Sequence, residues 1–127
     1  RETEEELGIS RNVVEVWGEF MTLPSKNFEM AVTPVIGLIR NFDHVTLKPS
    51  EFEVDEVFLV SLERLCDEQY FGFDHFKNGY SVPYFTGGNH KIWGLTAIFT
   101  HLILSSLLPE KVYPMHSKHV GFPPAKL

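Results

Sequence analysis

The sequence predicts a domain of the α/β class, and three observations carry that expectation. Stretches rich in β-branched and aromatic residues are spaced along the chain, an acid-rich opening run stops at Gly8, and apolar residues recur at helical spacing between Trp93 and Leu108. At 127 residues the chain has the size of one domain. It opens on Arg1, inside a helical pattern and without an initiator Met, so it is expected to be a fragment of a longer protein whose N-terminal part is missing.

The opening run Arg1-Glu2-Thr3-Glu4-Glu5-Glu6-Leu7-Gly8-Ile9 reads as a short helix. Gly8 suits the left-handed residue that follows a helix, and Ile9 supplies the hydrophobic contact beyond it. Val13 to Leu23 reads as a strand, through Val14, Val16, Trp17, Phe20 and Leu23, and Pro24-Ser25-Lys26-Asn27 as a turn. Met30 to Ile39 is nearly continuous in apolar residues, which predicts a second strand buried on both faces, with Pro34 at an edge or bulge. A loop follows from Asn41 to Ser50.

Glu53 to Val60 reads as a third strand entered through acids, and Ser61 to Cys66 as a helical turn. Between Asp67 and Asn89 the aromatic and Gly-rich composition predicts a long, partly ordered lobe, with one short strand at Tyr80 to Phe85 interrupted by Pro83. Leu95, Ile98, Phe99, Leu102, Ile103 and Leu107 give Trp93 to Leu108 the pattern of a packing helix, stopped by Pro109. Residues 1–110 are expected to form the domain and 111–127 a tail.

Composition removes several classes of function. Eleven basic against 17 acidic residues give a net charge of −6, with no Lys/Arg cluster of the kind that nucleic acid requires. The acid excess does not exclude a phosphate-bearing substrate, because a bound cation reverses the local field. No run of 18 uncharged apolar residues predicts a membrane span. A single cysteine, Cys66, excludes an internal disulfide and suits a reducing compartment. His116 and His119 have H-x-x-H spacing but lack the further ligands that zinc needs, and His75, His90 and His101 read as surface or packing residues.

The candidate chemistry lies in the opening helix. Glu2 and Glu6 are one turn apart with Glu5 on the same side, so three carboxylates share a face. Like charges held together are costly unless a cation sits among them, and Mg²⁺ is held by a few carboxylates plus substrate phosphates. A solvated acidic face is the other reading of the same residues. Arg1 and Glu5 have the i, i+4 spacing of an ion pair. Glu53 and Glu56 are further candidate acids, Glu56 standing in an E-x-x-x-V-x-L pattern that ends at Leu62, and both also read as charges that protect a strand edge.

The run Arg1 to Ile9 resembles the second half of the Nudix box, REUXEEXGU, with Thr3 at a usually apolar position. Val32-Thr33-Pro34-Val35-Ile36-Gly37-Leu38-Ile39, Glu53 to Leu62 and Ile92-Trp93-Gly94-Leu95-Thr96-Ala97 are similar to segments of the coenzyme A diphosphatase branch of that family, with Ser61 where the branch usually has Pro. The resemblance implies a Nudix α/β/α sandwich around a mixed β-sheet, with residues 1–110 as a partial Nudix domain. It implies Glu2, Glu5 and Glu6 as ligands of Mg²⁺ or Mn²⁺, and Arg1 as the residue that orients them. Glu5, Glu53 or Glu56 would then supply the catalytic carboxylate.

The implied reaction is hydrolysis of coenzyme A or acyl-coenzyme A at the pyrophosphate, to 3′,5′-ADP and (acyl-)4′-phosphopantetheine. A Nudix hydrolase of another nucleoside diphosphate derivative, and a catalytically silent nucleotide-binding module, are the competing readings. Ala125-Lys126-Leu127 resembles a peroxisomal address, with the mitochondrion as the alternative location implied by the resemblance.

Overall fold

The computed structural model describes residues 1–25, 29–42, 47–77 and 79–117. These fall into two compact units, divided between Val57 and Phe58.

The first unit opens with α1, Glu2–Leu7, which ends where the sequence places its end. Gly8 is left-handed, at φ 69°, and its N–H returns to the Glu4 carbonyl. A Cβ at Gly8 would also lie 2.7 Å from Lys48 Cβ and 2.8 Å from the Lys48 carbonyl oxygen, so both conformation and space call for glycine. Ile9 beyond it is buried.

A 3₁₀ turn, Arg11–Val13, capped by the Ser10 hydroxyl, leads into β1, Val14–Glu19. Strand β2 is Leu23–Pro24, β3 Ala31–Val32 and β4 Val35–Ile39. The pairs β1–β4 and β2–β3 are antiparallel. Trp17 is the extra residue of a bulge, since Val16 faces Gly37 while Gly18 faces Ile36. Pro34 falls between β3 and β4, where its missing N–H breaks no ladder and its carbonyl accepts from Phe20 at 2.9 Å.

Two expectations for this unit are corrected. The run from Met30 to Ile39 is two short strands with none of its apolar residues buried, Met30 standing at 66% and Val35 at 60% exposure. An apolar run becomes a doubly buried strand only where something covers both faces, and β4 pairs with β1 alone. No strand forms from Glu53 to Val60 either. The Ser50 carbonyl instead accepts from Glu53 and Val54 at 3.3 and 2.9 Å, which closes a turn over the first acids where a strand would have to begin.

The second unit is built on a helix. Its first element, α2, Leu62–Leu65, has Ser61 as N-cap, whose hydroxyl accepts from the Arg64 N–H at 3.1 Å. Strands β5, Phe71–His75, and β6, Ser81–Phe85, pair antiparallel over five residues. The lobe expected to be partly ordered contains a full hairpin, in which the expected strand at Tyr80 to Phe85 is β6 and Pro83 is buried within it rather than interrupting it. The bridge between Phe85 and Ile92 extends the sheet toward the main helix.

That helix is α3, Gly94–Leu107. Ala97 and Leu104 pack with Phe85, Tyr113 and Met115 as a core, with Leu65, Cys66, Phe71 and Ile92 against it. Tyr113 and Met115 fall in the stretch expected to be tail, yet both are buried, so the packed chain continues past Pro109. Among the described residues every strand pairing is antiparallel and every sheet two-stranded, so no mixed sheet is formed. No helix among them is long and apolar enough to cross a membrane.

Inside the core, His101 Nδ1 and the Tyr113 hydroxyl are 2.6 Å apart. Burial, reinforced by Cys66, pushes the Tyr113 phenol well above its ordinary range, so it keeps its proton and the hydrogen bond. Replacement Tyr113→Phe preserves the ring and takes the partner from a buried imidazole nitrogen. The expected loss is about 1–3 kcal/mol of unfolding free energy. Urea unfolding of the two proteins measures it, and an unmoved midpoint would show that the hydroxyl contributes nothing.

Candidate functional site

The candidate residues stand on two segments of the first unit, α1 and the irregular stretch before Val57. A six-residue helix is too short to persist by itself. What holds α1 is a strap from a distant part of the same unit. The Lys48 N–H donates to the Leu7 carbonyl at 2.8 Å, and the Ser50 N–H to the Glu6 carbonyl at 2.7 Å. These are carbonyls that a helix end leaves without intrahelical partners. The strap leads directly into Glu53, through the turn closed by the Ser50 carbonyl.

Glu2, Glu5 and Glu6 are all exposed. Among the described residues none of the three makes a side-chain hydrogen bond or an ion pair. Nor do any three His, Cys, Asp or Glu side chains among the described residues come together as a ready group of metal ligands. The arrangement is thus an open face of hard carboxylate oxygens rather than a closed cage. In donor chemistry it fits Mg²⁺ or Mn²⁺, which keep several waters and take substrate phosphates as ligands, and it does not fit an ion that needs a full set of protein ligands.

Arg1 occupies the N-cap of α1 and Glu5 lies inside it, and no ion pair links them. The expected i, i+4 pair requires both residues on the helix, and the cap position lies outside it. Glu53 and Glu56 are exposed, in irregular chain rather than at a strand edge.

The ion pair that does form is one that spacing on a single helix does not reveal. Glu4, half-buried beside its exposed neighbours, accepts at Oε2 from the Arg11 N–H at 2.8 Å and from Arg11 Nε at 3.4 Å. The two residues are seven apart and meet only because Gly8 reverses the chain between them. Ser10, as cap of the following 3₁₀ turn, was the one local signal that the backbone N–H groups after Gly8 seek acceptors.

In the second unit, the stretch singled out in the sequence, Ile92 to Thr96, lines a shallow cavity of about 430 Å³ with Phe58 and Lys91. Lys91 is already engaged, with Asp74 at 3.2 Å and over the Tyr84 ring at 4.4 Å. Phe71, Phe73 and Phe85 of the lobe are packing residues: Phe71 meets Phe73 and Phe85 edge-on, and both Phe71 and Phe73 lie against His101, while Phe76 is exposed. His75 is exposed and bonds Ser81 Oγ across the hairpin at 2.8 Å, and His116 Nε2 donates to the Leu108 carbonyl at 2.6 Å. His119 and the Ala125-Lys126-Leu127 sequence lie outside the described residues.

Known proteins are similar along most of this chain. Mitochondrial coenzyme A diphosphatase NUDT8 of Mus musculus is 39% identical over 118 residues, covering 90% of this chain and 56% of that protein. Its Homo sapiens counterpart is 38% identical over 120 residues, covering 90% of this chain and 50% of its own. Nudix hydrolase 3 of Caenorhabditis elegans is 26% identical over 131 residues, covering 87% of this chain and 53% of its own. The chain is a homologue of the Nudix hydrolases. Within them it is similar to the coenzyme A diphosphatases, and it spans about half the length of the curated relatives it matches. No family model and no solved structure matches it.

The Arg11 contacts hold the Glu4 carboxyl below its ordinary value of 4.5, the backbone hydrogen bond contributing most and the side-chain bond next. A carboxyl with a lowered folded-state pKa stabilises the fold above its unfolded value and ceases to do so as pH falls through the folded one. The clasp is therefore expected to be intact near neutrality and to open in acid. A carbon-detected NMR titration should give Glu4 a midpoint below 4.5, and a midpoint at or above that value would show that the contact does not form in solution.

Proposed function

We propose that the protein carrying this chain is a divalent-metal-dependent Nudix pyrophosphohydrolase. Its substrate is coenzyme A or acyl-coenzyme A, cleaved to 3′,5′-ADP and (acyl-)4′-phosphopantetheine. The observation that carries this reading is the 38–39% identity, over 90% of the chain, to mouse and human proteins named as coenzyme A diphosphatases. The open carboxylate face of α1 supports it chemically.

In this reading Glu2, Glu5 and Glu6 hold Mg²⁺ or Mn²⁺, which when bound neutralises charge on the diphosphate and makes water a stronger acid. Arg1 orients the carboxylates. A carboxylate oxygen, of Glu5 or of Glu53 or Glu56, accepts the proton of the attacking water. The complete domain is read as a Nudix α/β/α sandwich, to which residues 1–110 contribute. Hydrolysis of a different nucleoside diphosphate derivative is the second reading, since the Caenorhabditis elegans relative carries the family name with no substrate in it. Glu2, Glu5 and Glu6 are all present, which disfavours a silent module.

Full-length protein assayed with Mg²⁺ should cleave coenzyme A in preference to ADP-ribose and diadenosine polyphosphates. Equal or absent cleavage of coenzyme A would sink the substrate assignment. Replacement Glu6→Gln keeps the backbone carbonyl that Ser50 bonds and removes a ligand charge, so turnover should fall by roughly two orders of magnitude or more with the fold intact. Near-normal turnover would take Glu6 out of the site.

The mouse and human relatives are named as mitochondrial enzymes, which favours the mitochondrion over the peroxisome for this protein. Blocking Leu127 with a C-terminal fusion should then leave mitochondrial staining unchanged. Dispersal of a peroxisomal signal on the same fusion would restore the Ala-Lys-Leu address.

A further inference from the structure

We infer that Glu4 is a positioning residue, which acts through Arg11 to hold the carboxylate face of α1 in one direction. The inference rests on the metal-dependent reading above. Four of the five residues from Glu2 to Glu6 are glutamates. At about 100° of rotation per residue, Glu4 points to the side of the helix opposite Glu2 and Glu6, while Glu5 stays with them. Glu4 alone of the four is half-buried, and it alone is clasped, by the Arg11 N–H at 2.8 Å and Arg11 Nε at 3.4 Å.

A short helix can slip in two ways: its end can lift, and it can roll about its own axis. The Lys48 and Ser50 N–H groups hold the last carbonyls, which resists lifting. Helix carbonyls point nearly along the axis, so bonds made to them resist rolling poorly. The Glu4–Arg11 clasp reaches the side of the helix, so rolling must break it. It also keeps the fourth carboxylate away from the other three, whose mutual repulsion is the cost of assembling them.

The test uses the full-length protein with Mn²⁺ as the probe, its binding read by electron paramagnetic resonance and the order of α1 by amide exchange at Glu5 and Gly8. Three variants are compared: Arg11→Ala removes the side-chain bond, Glu4→Ala removes both bonds, and Glu4→Gln removes the charge but leaves an oxygen for the Arg11 N–H. Glu4→Ala should weaken Mn²⁺ binding about tenfold, as loss of a supporting partner does at metal sites. Arg11→Ala should weaken it less, and Glu4→Gln should recover most of the affinity. In Glu4→Ala, exchange at Glu5 and Gly8 should quicken and kcat should fall more than KM changes.

Unaltered Mn²⁺ affinity in Glu4→Ala would overturn the inference, whether or not exchange quickens. So would an equal loss in Glu4→Gln and Glu4→Ala, because the effect would then be bulk charge. Absence of Mn²⁺ binding by the wild-type protein would remove the functional reading and the inference together. Failure of the inference alone leaves wild-type binding in place.

Discussion

The carboxylate face depends on hydrogen bonds made by a part of the chain some forty residues away from it. Helix α1 has six residues and no buried ones, so neither propensity nor packing keeps it formed. Its last carbonyls find donors on Lys48 and Ser50, and the left-handed Gly8 lets that strap come within contact of the helix end. Glu2, Glu5 and Glu6 share a face only while α1 is helical, and α1 is held by the strap.

The second unit is held by a different kind of force. Its centre is apolar burial around Phe85, Ala97, Leu104 and Met115, and within it His101 and Tyr113 are joined to each other, while the buried Ser105 Oγ on α3 makes no hydrogen bond among the described residues. Buried polar groups are tolerable when they satisfy one another, and this pair also ties the chain after Pro109 back onto α3. Among the described residues the first unit buries only Ile9 and Leu23 of its large apolar side chains. One unit thus derives its order from a core, the other from backbone hydrogen bonds and a bulged ribbon.

Local chemistry was legible in the sequence wherever a single element contains its own signal. The end of α1 at Gly8, the capping of α2 by Ser61 and the span of α3 all follow from neighbours within four residues. Features that need a distant partner were not legible. Strand β5 does alternate, Phe71 and Phe73 with Gly72 and Asp74, but over only five residues that include a glycine, and the pairing with β6 is what makes it a strand. Glu53 to Val60 carries β-forming residues but joins no strand ladder and stays irregular. In the site, the three carboxylates could be read from helical spacing, while the Glu4–Arg11 contact and the Lys48–Ser50 strap could not, since both cross a reversal of the chain.

The ribbon of β1 and β4 has a further consequence for how the chain behaves in concentrated solution. Val16, Trp17, Met30 and Val35 are each more than half exposed, on or beside strands whose outer edges are unpaired among the described residues. Open edges flanked by apolar side chains invite strand addition between molecules, the first step toward aggregates. The bulge at Trp17 breaks the regularity that such stacking needs, and a net charge of −6 makes approaching copies repel. The acid excess thus also protects colloidal stability, and that protection weakens with added salt and near the isoelectric point of about 5.4.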